Sequence, residues 1–364
     1  MNPLRLLFTF LTLAGLATAM AEDSFRIYSA SRTTSQLWIV EAKSNANGLT
    51  LEVVEKLDLG FAGSTIVSHP EKPLVYVSVP SGKPGQAPGA VIHLDREGED
   101  RITTVNFNHG YSYLSLDRAN HFLLGCAYGG GQVDVYELDA DGVPAKRVAF
   151  LDEGRKNAHC VLPSIDNSFV YIPYVKDTNA LFQYQFDPES GALTALEPKN
   201  ANPPEGSGPR HMAYHPTLPF VYFSNEQNLG VSVYRKLKSG QLEMVQICDA
   251  VGPDESKEGV SSSDIVITPD GKYLFAGIRG HKRDFDRISR YRIKSDGQVE
   301  LLGLTPTDPI PWGFALSPEG KFLVVTAFKG ASLNVYRLVG EGGLENVATM
   351  PWEPNISDVV TRKE

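Results

Sequence analysis

ALSPEGKFLVVTAF (315–328) consists of an apolar strand, a tight polar turn and a second apolar strand. The same phrase recurs as AYHPTLPFVYFSNE (213–226) and as VITPDGKYLFAGIR (266–279). Weaker copies occupy 66–79, 114–128 and 161–174, and FRIYSASR (25–32) matches the second half of the phrase alone. Self-similarity at a fixed period is typical of repeat folds, in which each repeat is one supersecondary unit.

The first large residue of the second strand gives each copy an anchor. The seven anchors are Phe25, Leu74, Phe122, Phe169, Phe220, Tyr273 and Phe322. Their spacings are 49, 48, 47, 51, 53 and 49 residues. A third, alternating strand follows each anchored strand, and a turn leads into a fourth. Units of about fifty residues with four strands predict an all-β, seven-bladed β-propeller, with four antiparallel strands per blade.

The two ends of the chain complement each other in this repeat. The first unit lacks its innermost strand. NISDVVT (355–361) resembles the innermost strand SSDIVIT (262–268), but it comes after the seventh unit and has no unit of its own. We therefore expect the C-terminal strand to join the first blade and close the ring. Closure removes exposed sheet edges, which makes seven stacked units without closure the weaker alternative.

Composition limits the classes of partner. The 364 residues include 43 acidic and 34 basic side chains, for a formal charge of −9. A net-acidic globular chain has no electrostatic reason to bind nucleic acid or an anionic membrane. The three cysteines and the acidic residues show no zinc or EF-hand spacing, so we expect no metal and no cofactor. We expect buried free thiols, and the alternative is one disulfide among Cys126, Cys160 and Cys248, which an oxidising compartment permits.

The N-terminal segment 1–21 has the pattern of a secretory signal peptide. Arg5 precedes the apolar run LLFTFLTLAGL (6–16), and small-x-small cleavage sites end at Ala19 and Ala21. The alternative is a membrane anchor, but the run is shorter than the ~20 residues that a span needs. We expect cleavage near Ala19 or Ala21, a single secreted or periplasmic domain over 22–364, and no membrane contact afterwards.

Hairpin geometry predicts which residues share a site. Positions ten residues before the anchor and six after it lie opposite each other at the open end of the hairpin, beside the channel. Most copies carry small or apolar residues there, but four positions are ionisable: His159, Arg210, Glu226 and Arg279. Ionisable groups that break a repeat indicate function more than packing. The alternative is an ion pair between blades, joining Glu226 to either arginine.

Further residues surround these four positions. Candidate substrate-binding residues are His211, His281, Trp312 and Tyr128. His69 and His215 each precede proline and are interpreted as turn residues, and His121 as an exposed turn residue. Asp264 and Asp358 share one repeat position, which indicates backbone capping.

These segments resemble a known family. GPRHMAYHP (208–216) with SNE (224–226), SSSDIVITPDGKYLFAGIRGH (261–281) and NAHCVLPSIDNSFVYIP (157–173) are similar to signatures of the seven-bladed propeller lactonases. That family includes bacterial 6-phosphogluconolactonase and fungal 3-carboxy-cis,cis-muconate cyclase. The likeness covers roughly 154–336 and is more specific for the family than for a substrate. It implies an active site of His159, Arg210, Glu226 and Arg279. Trp312 departs from the family, where a polar or basic residue is expected.

The residue types suit lactone hydrolysis. His159 or Glu226 has the chemistry to activate water, and Arg210 and Arg279 to stabilise an oxyanion or bind an anionic group. A serine nucleophile is not favoured because no GxSxG motif is present. We expect a small anionic or lactone substrate. The alternatives are a muconate cycloisomerase, which forms a lactone, and a non-catalytic propeller that binds a ligand or protein. The sequence leaves the oligomeric state open.

Overall fold

The computed structural model describes residues 23–45, 48–80, 87–252 and 254–363. Its strands form seven four-stranded sheets, each with antiparallel pairing. Two short 3₁₀ helices are present in these segments, at Gly98–Arg101 and Lys176–Thr178. Neither they nor any other part of the described chain forms a helix with the length and apolar character to cross a membrane. The signal peptide predicted over 1–21 lies outside the described residues.

Each sheet is one blade, numbered here from the N-terminus. Blade 1 contains β1 (Ser24–Ser31), β2 (Gln36–Asn45) and β3 (Gly48–Asp58). Blade 2 contains β4 (Thr65–Ser68), β5 (Leu74–Ser78), β6 (Ala87–His93) and β7 (Ile102–Phe107). Blade 3 contains β8 (Tyr113–Leu116), β9 (Phe122–Cys126), β10 (Val133–Leu138) and β11 (Pro144–Leu151). Blade 4 contains β12 (Leu162–Pro163), β13 (Phe169–Tyr174), β14 (Ala180–Phe186) and β15 (Leu193–Asn200).

Blades 5 to 7 follow the same order. Blade 5 contains β16 (Pro209–Tyr214), β17 (Phe220–Asn225), β18 (Gly230–Lys236) and β19 (Leu242–Asp249). Blade 6 contains β20 (Val260–Ile267), β21 (Tyr273–Gly280), β22 (Arg287–Ile293) and β23 (Val299–Pro306). Blade 7 contains β24 (Pro311–Leu316), β25 (Phe322–Ala327), β26 (Ser332–Val339) and β27 (Gly343–Pro351). The last strand is β28 (Ile356–Lys363).

The C-terminal strand closes the ring, as its sequence predicts. β28 pairs antiparallel with β1, with Thr361 opposite Ile27 and Val360 opposite Tyr28. The first sheet therefore has the order β28-β1-β2-β3, and an inner strand from the far end of the chain completes blade 1.

The anchors also lie at the strand positions that the repeat predicts. Six of them begin the second strand of their blade, and Phe25 is the second residue of β1.

The hydrophobic core lies between the blades rather than in one centre. Within the described residues, each neighbouring pair of blades shares at least one buried apolar cluster. Blades 7 and 1, for example, bury Phe25 against Phe322, and Trp38 stacks on Trp352 with ring centroids 4.4 Å apart. Since both faces of the second strands are covered, β5 is buried at every position. Replacing one such side chain by alanine typically costs about 2–5 kcal/mol of stability.

Three histidines take the structural places that the sequence predicts for them. The Nδ1 atom of His69 accepts hydrogen bonds from the backbone N–H groups of Glu71 and Lys72, at 3.1 and 2.9 Å. His215 caps the corresponding turn of blade 5 in the same way. His121 is exposed. The rings of His69 and His215 therefore stabilise turns, and the ring of His121 faces solvent.

Candidate active site

Bulges in the inner strands bring pairs of adjacent residues to the channel. The register of β16 against β17 shifts between Pro209 and Met212, so one extra residue is inserted at Arg210 and His211. The inner strands of blades 6, 7 and 1 shift at the corresponding places. A bulge breaks the alternation of a strand and re-aims its side chains, and it is common beside active sites. Arg210 and His211 consequently both line one cavity.

This cavity has a volume of about 270 Å³. Its lining residues are Arg32, Ser64, Thr65, Tyr111, Ser112, Tyr128, His159, Lys176, Arg210, His211, Glu226, Arg279, Trp312 and Asp358. The structure thus places seven of the eight predicted site residues around one space. The eighth, His281, is not among them, and its Nε2 atom lies 2.8 Å from the hydroxyl of Ser261.

Glu226 is the centre of a buried ionic cluster. Its Oε2 atom lies 3.1 Å from Nε of Arg210, 3.4 Å from Nη2 of Arg279 and 3.9 Å from Nε2 of His159. Burial by itself raises the pKa of Glu226, but the charges of Arg279 and Arg210 outweigh that effect and lower it below 4.5. Glu226 is therefore a carboxylate at neutral pH. The sequence offered an ion pair between blades as the alternative to a functional site beside the channel, and in the structure the residues of that ion pair also line the cavity.

The two arginines keep hydrogen-bonding capacity for a ligand. Arg210 is fully buried, and in the described part of the chain neither of its terminal nitrogens has a hydrogen-bond partner. Arg279 donates from Nη2 to the carbonyl oxygen of Ser262 at 2.7 Å, while its Nε has no partner in the same segments. Burial, and then the charge of Arg210, lowers the pKa of Arg279 to about 10, so it stays charged at neutral pH. Unsatisfied buried donors of this kind favour an anionic or strongly polar ligand.

Two neutral imidazoles face the arginines. The rings of His159 and His211 meet edge to face with centroids 5.0 Å apart, and Tyr128 packs against His159 at 5.4 Å. Burial, followed by the charge of Arg210, holds the pKa of His159 well below 6.5. The same two causes lower the pKa of His211. Both rings are therefore proton acceptors rather than cations at neutral pH.

Trp312 is a platform for guanidinium groups. The central carbons of Arg279, Arg210 and Arg32 lie 5.3, 5.6 and 5.6 Å from its ring centroid. Cation–π attraction of this kind holds planar cations over an indole. The departure of Trp312 from the family pattern therefore leaves the cationic character of the cavity intact.

Sequence reasoning missed two basic residues of the cavity, Arg32 and Lys176. Both stand seven residues after an anchor, one place beyond the position that was compared across the repeat. The ammonium group of Lys176 lies 5.4 Å from the ring centroid of Tyr128. Comparing the next repeat position would have found both, because basic residues occupy it in blades 1, 4 and 7, at Arg32, Lys176 and Lys329.

Metal ligation has no obvious place here. Across the described segments, no three His, Cys, Asp or Glu side chains gather in a group that could hold a metal ion. Cys126, Cys160 and Cys248 are free thiols, and the first two are buried. Burial raises the pKa of Cys126 to about 12, which leaves it protonated and unreactive at neutral pH.

Known proteins resemble this chain along almost its whole length. Residues 26–360 match the family model described as Lactonase, 7-bladed beta-propeller. The 6-phosphogluconolactonases of Klebsiella pneumoniae and of an Enterobacter species are 32% and 30% identical to it over 325 residues, which cover 87% of this chain and 92% of each relative.

A solved structure shares the fold. The periplasmic gluconolactonase PpgL of Pseudomonas aeruginosa superposes with a TM-score of 0.80 at 20% identity, covering 93% of this chain and 99% of that one. The family match and the two relatives confirm the family resemblance seen in the sequence. The chain therefore belongs to the seven-bladed β-propeller lactonases and is a lactone-hydrolysing enzyme.

Proposed function

We propose that this lactonase opens a sugar-acid lactone by adding water to the ring carbonyl, with Arg210 and Arg279 binding the oxygen that gains negative charge. The observation that carries the proposal is the pair of buried guanidinium groups that line a cavity with neutral imidazoles and have nitrogens without a hydrogen-bond partner among the described residues. Donors that are preorganised around a developing oxyanion usually supply the largest part of such a rate enhancement.

In this proposal Glu226 positions the arginines and does not activate water. Its charge is shared by two guanidinium groups, and its lowered pKa makes it a weak base. A carboxylate held in this way fixes the planar forks of both arginines and offsets part of their mutual repulsion. The proton acceptor is then one of the two neutral imidazoles, His159 or His211.

The balance of charge favours a substrate or product with an acidic group. Arg32, Lys176, Arg210 and Arg279 line the cavity, against Glu226 and Asp358. Burial, and then the nearby charge of Asp264, raises the pKa of Asp358 to about 7, so it is only partly ionised at neutral pH. Hydrolysis creates a carboxylate, and the local positive excess stabilises that charge although the whole chain is acidic.

We further propose that the enzyme works outside the cytoplasm on an unphosphorylated aldonolactone. The signal-peptide pattern of 1–21 and the likeness to a periplasmic gluconolactonase support this. The curated relatives named 6-phosphogluconolactonase support the phosphorylated substrate instead. N-terminal sequencing of the native protein tests export: we expect the chain to begin between Met20 and Glu22, and a chain that begins at Met1 would contradict it.

A pH-stat assay tests the substrate class. Proton release is measured with D-gluconolactone, with 6-phosphogluconolactone and with a muconolactone, after subtraction of the spontaneous rate in buffer. We expect kcat/KM to be highest for D-gluconolactone, and a higher value for 6-phosphogluconolactone would contradict the unphosphorylated substrate. Activity confined to the muconolactone would support the cyclase-like alternative, and no activity on any of the three would support the binding-protein alternative.

A further inference from the structure

His211 and Asp264 form a hydrogen-bonded pair beside the ionic cluster. The two residues occupy the same repeat position in neighbouring blades, and each lies on the bulge of its inner strand. Nδ1 of His211 is 2.7 Å from Oδ1 of Asp264. The ring of His211 is also held edge to face between Tyr113 and His159, with both centroid distances 5.0 Å. Packing on three sides therefore fixes the orientation of the imidazole.

The carboxylate decides which nitrogen carries the proton. Asp264 also accepts hydrogen bonds from the backbone N–H groups of Ile265 and Phe314, both at 2.8 Å. Burial by itself raises the pKa of Asp264, but His211 and these donors outweigh it, and the net shift is downward. An ionised carboxylate only accepts hydrogen bonds, so the neutral imidazole must place its proton on Nδ1. The lone pair is then on Nε2.

Nε2 of His211 is available to a ligand. It is buried and has no hydrogen-bond partner within the described segments, and its residue lines the cavity. His159 differs, because its Nε2 lies 3.9 Å from Glu226 and its Nδ1 has no partner in the same segments to fix the tautomer. Among the described residues, only His211 of the two neutral imidazoles has a carboxylate within hydrogen-bond distance, which is the arrangement that orients a general base.

Blade 1 shows that the capping role of Asp264 does not require a histidine. Asp358 occupies the same repeat position and accepts backbone hydrogen bonds from Val359 and Ile66, at 3.0 and 3.4 Å. The residue that neighbours Asp358 as His211 neighbours Asp264 is Gly313 of blade 7. A Cβ atom on Gly313 would lie 3.2 Å from Oδ1 of Asp358. Since Asp358 forms the same backbone cap beside a glycine, the capping role of Asp264 does not account for His211.

We propose that His211 is the general base of this lactonase and that Asp264 is its positioning residue. This inference rests on the proposed function and deepens it. Nε2 of His211 removes a proton from water as the oxygen bonds to the lactone carbonyl carbon, and the carbonyl oxygen becomes an oxyanion beside Arg210 and Arg279. The ring C–O bond then breaks as the carbonyl re-forms, and the proton on Nε2 passes to the departing ring oxygen. The product is the open hydroxy acid, and His211 returns to its neutral form.

His211→Gln and Asp264→Asn test this proposal in the pH-stat assay, with D-gluconolactone between about pH 5 and pH 8. Loss of a general base typically lowers kcat by about 10²–10⁴-fold, and we expect that loss in His211→Gln with KM little changed. The charge of Asp264 raises the pKa of His211, against burial and the charges of Arg210 and Arg279. Asp264→Asn should therefore lower the plateau of kcat and move its acidic limb to lower pH.

Two further variants separate catalysis from structure. His121→Gln changes an exposed histidine far from the cavity and should keep the wild-type rate. Asp358→Asn removes one acceptor oxygen of an equivalent backbone cap, and its melting temperature gives the cost of weakening such a cap where no histidine is bonded to it. A reduced plateau in Asp264→Asn with an unmoved acidic limb would show that Asp264 is structural only.

The failures of the two proposals are distinguishable. If His211→Gln keeps nearly the wild-type kcat while Arg210→Ala loses it, the base is wrong and the lactonase site stands. If the wild-type enzyme opens no sugar lactone, the proposed function fails and the base role fails with it. A ¹⁵N NMR spectrum of the wild-type enzyme gives a readout without turnover: protonation of His211 on Nε2 instead of Nδ1 would overturn the proposal.

Discussion

The guanidinium groups of Arg210 and Arg279 explain why an ionic cluster is buried in this fold at all. Removing charges from water is costly, and a buried ion pair often stabilises a fold no better than apolar residues of similar size. In most blades the corresponding positions are indeed small or apolar. Two cations around one carboxylate leave a net positive charge, and some of their nitrogens have no hydrogen-bond partner in the part of the chain that the structure describes. The cluster is therefore better explained by ligand binding than by stability.

Glu226→Gln tests whether this residue positions the arginines or acts as a base. The variant leaves two buried guanidinium groups without their counter-ion, which typically costs about 3–5 kcal/mol of stability. We expect a lower melting temperature and a reduced kcat whose acidic limb remains. A variant that melts like the wild type but loses its acidic limb would identify Glu226 as the base instead.

The stability that Glu226 gives the wild type should also depend on pH in a defined direction. The pKa of Glu226 is lowered on folding, so its contribution is complete above about 4.5, its ordinary value, and is lost as the pH falls through the folded-state pKa. The difference in unfolding free energy between wild type and Glu226→Gln should shrink below that pH. Denaturant titrations at several pH values measure it, and a gap that grows on acidification would contradict the assignment.

Single residues mark the limit of sequence reasoning about the site. His159, Arg210, Glu226 and Arg279 were predictable because each is ionisable where the repeat is otherwise small or apolar. The pairing of His211 with Asp264 was not predictable, because the repeat pattern does not show that the same position in two neighbouring blades comes into contact. Their hydrogen bond depends on the bulges and on the ring that sets neighbouring inner strands side by side.

Among the elements, the second strands were the easiest to predict. Their apolar residues are buried on both faces between blades, so each one is a continuous apolar run that begins at its anchor. The inner strands were harder, because ordinary alternation would send Arg210 and His211 to opposite faces. The bulge in β16 overrides that alternation and has no sequence pattern of its own in a single chain.

Truncation after Pro354 tests the closing role of β28. Loss of residues 355–364 exposes the edge of β1 and removes Ile356 and Val359 from the cluster between blades 7 and 1. We expect a sharply lower melting temperature, measured by circular dichroism, and partial recovery when a peptide of residues 355–363 is added. Removing residue 364 alone is the control. A truncated protein that melts like the intact chain would contradict the closed ring.

At the scale of the molecule, the candidate site depends on the closed ring. The cavity collects His159 beside blade 4, Arg210 and Glu226 from blade 5, Arg279 from blade 6 and Trp312 from blade 7. Blade 1 adds Arg32, and β28 adds Asp358 from the end of the chain. Because no single blade holds the site, the distances within it are set by the clusters that pack each blade against the next.

The central claim is that the paired arginines stabilise the transition state of lactone opening. The most direct test is the pH-stat rate with D-gluconolactone for the Arg210→Ala/Arg279→Ala double variant. Arg210→Lys is measured beside it because it keeps the charge but lacks the planar fork. Arg292→Ala changes a half-buried arginine of β22 that pairs with Glu341 and does not line the cavity, and it is the control. Loss of one oxyanion donor typically costs about 10²–10³ in kcat. We therefore predict a fall of at least about a hundredfold in the double variant, poor rescue by lysine and a wild-type rate in the control. A folded double variant that retains full lactonase activity would contradict the account.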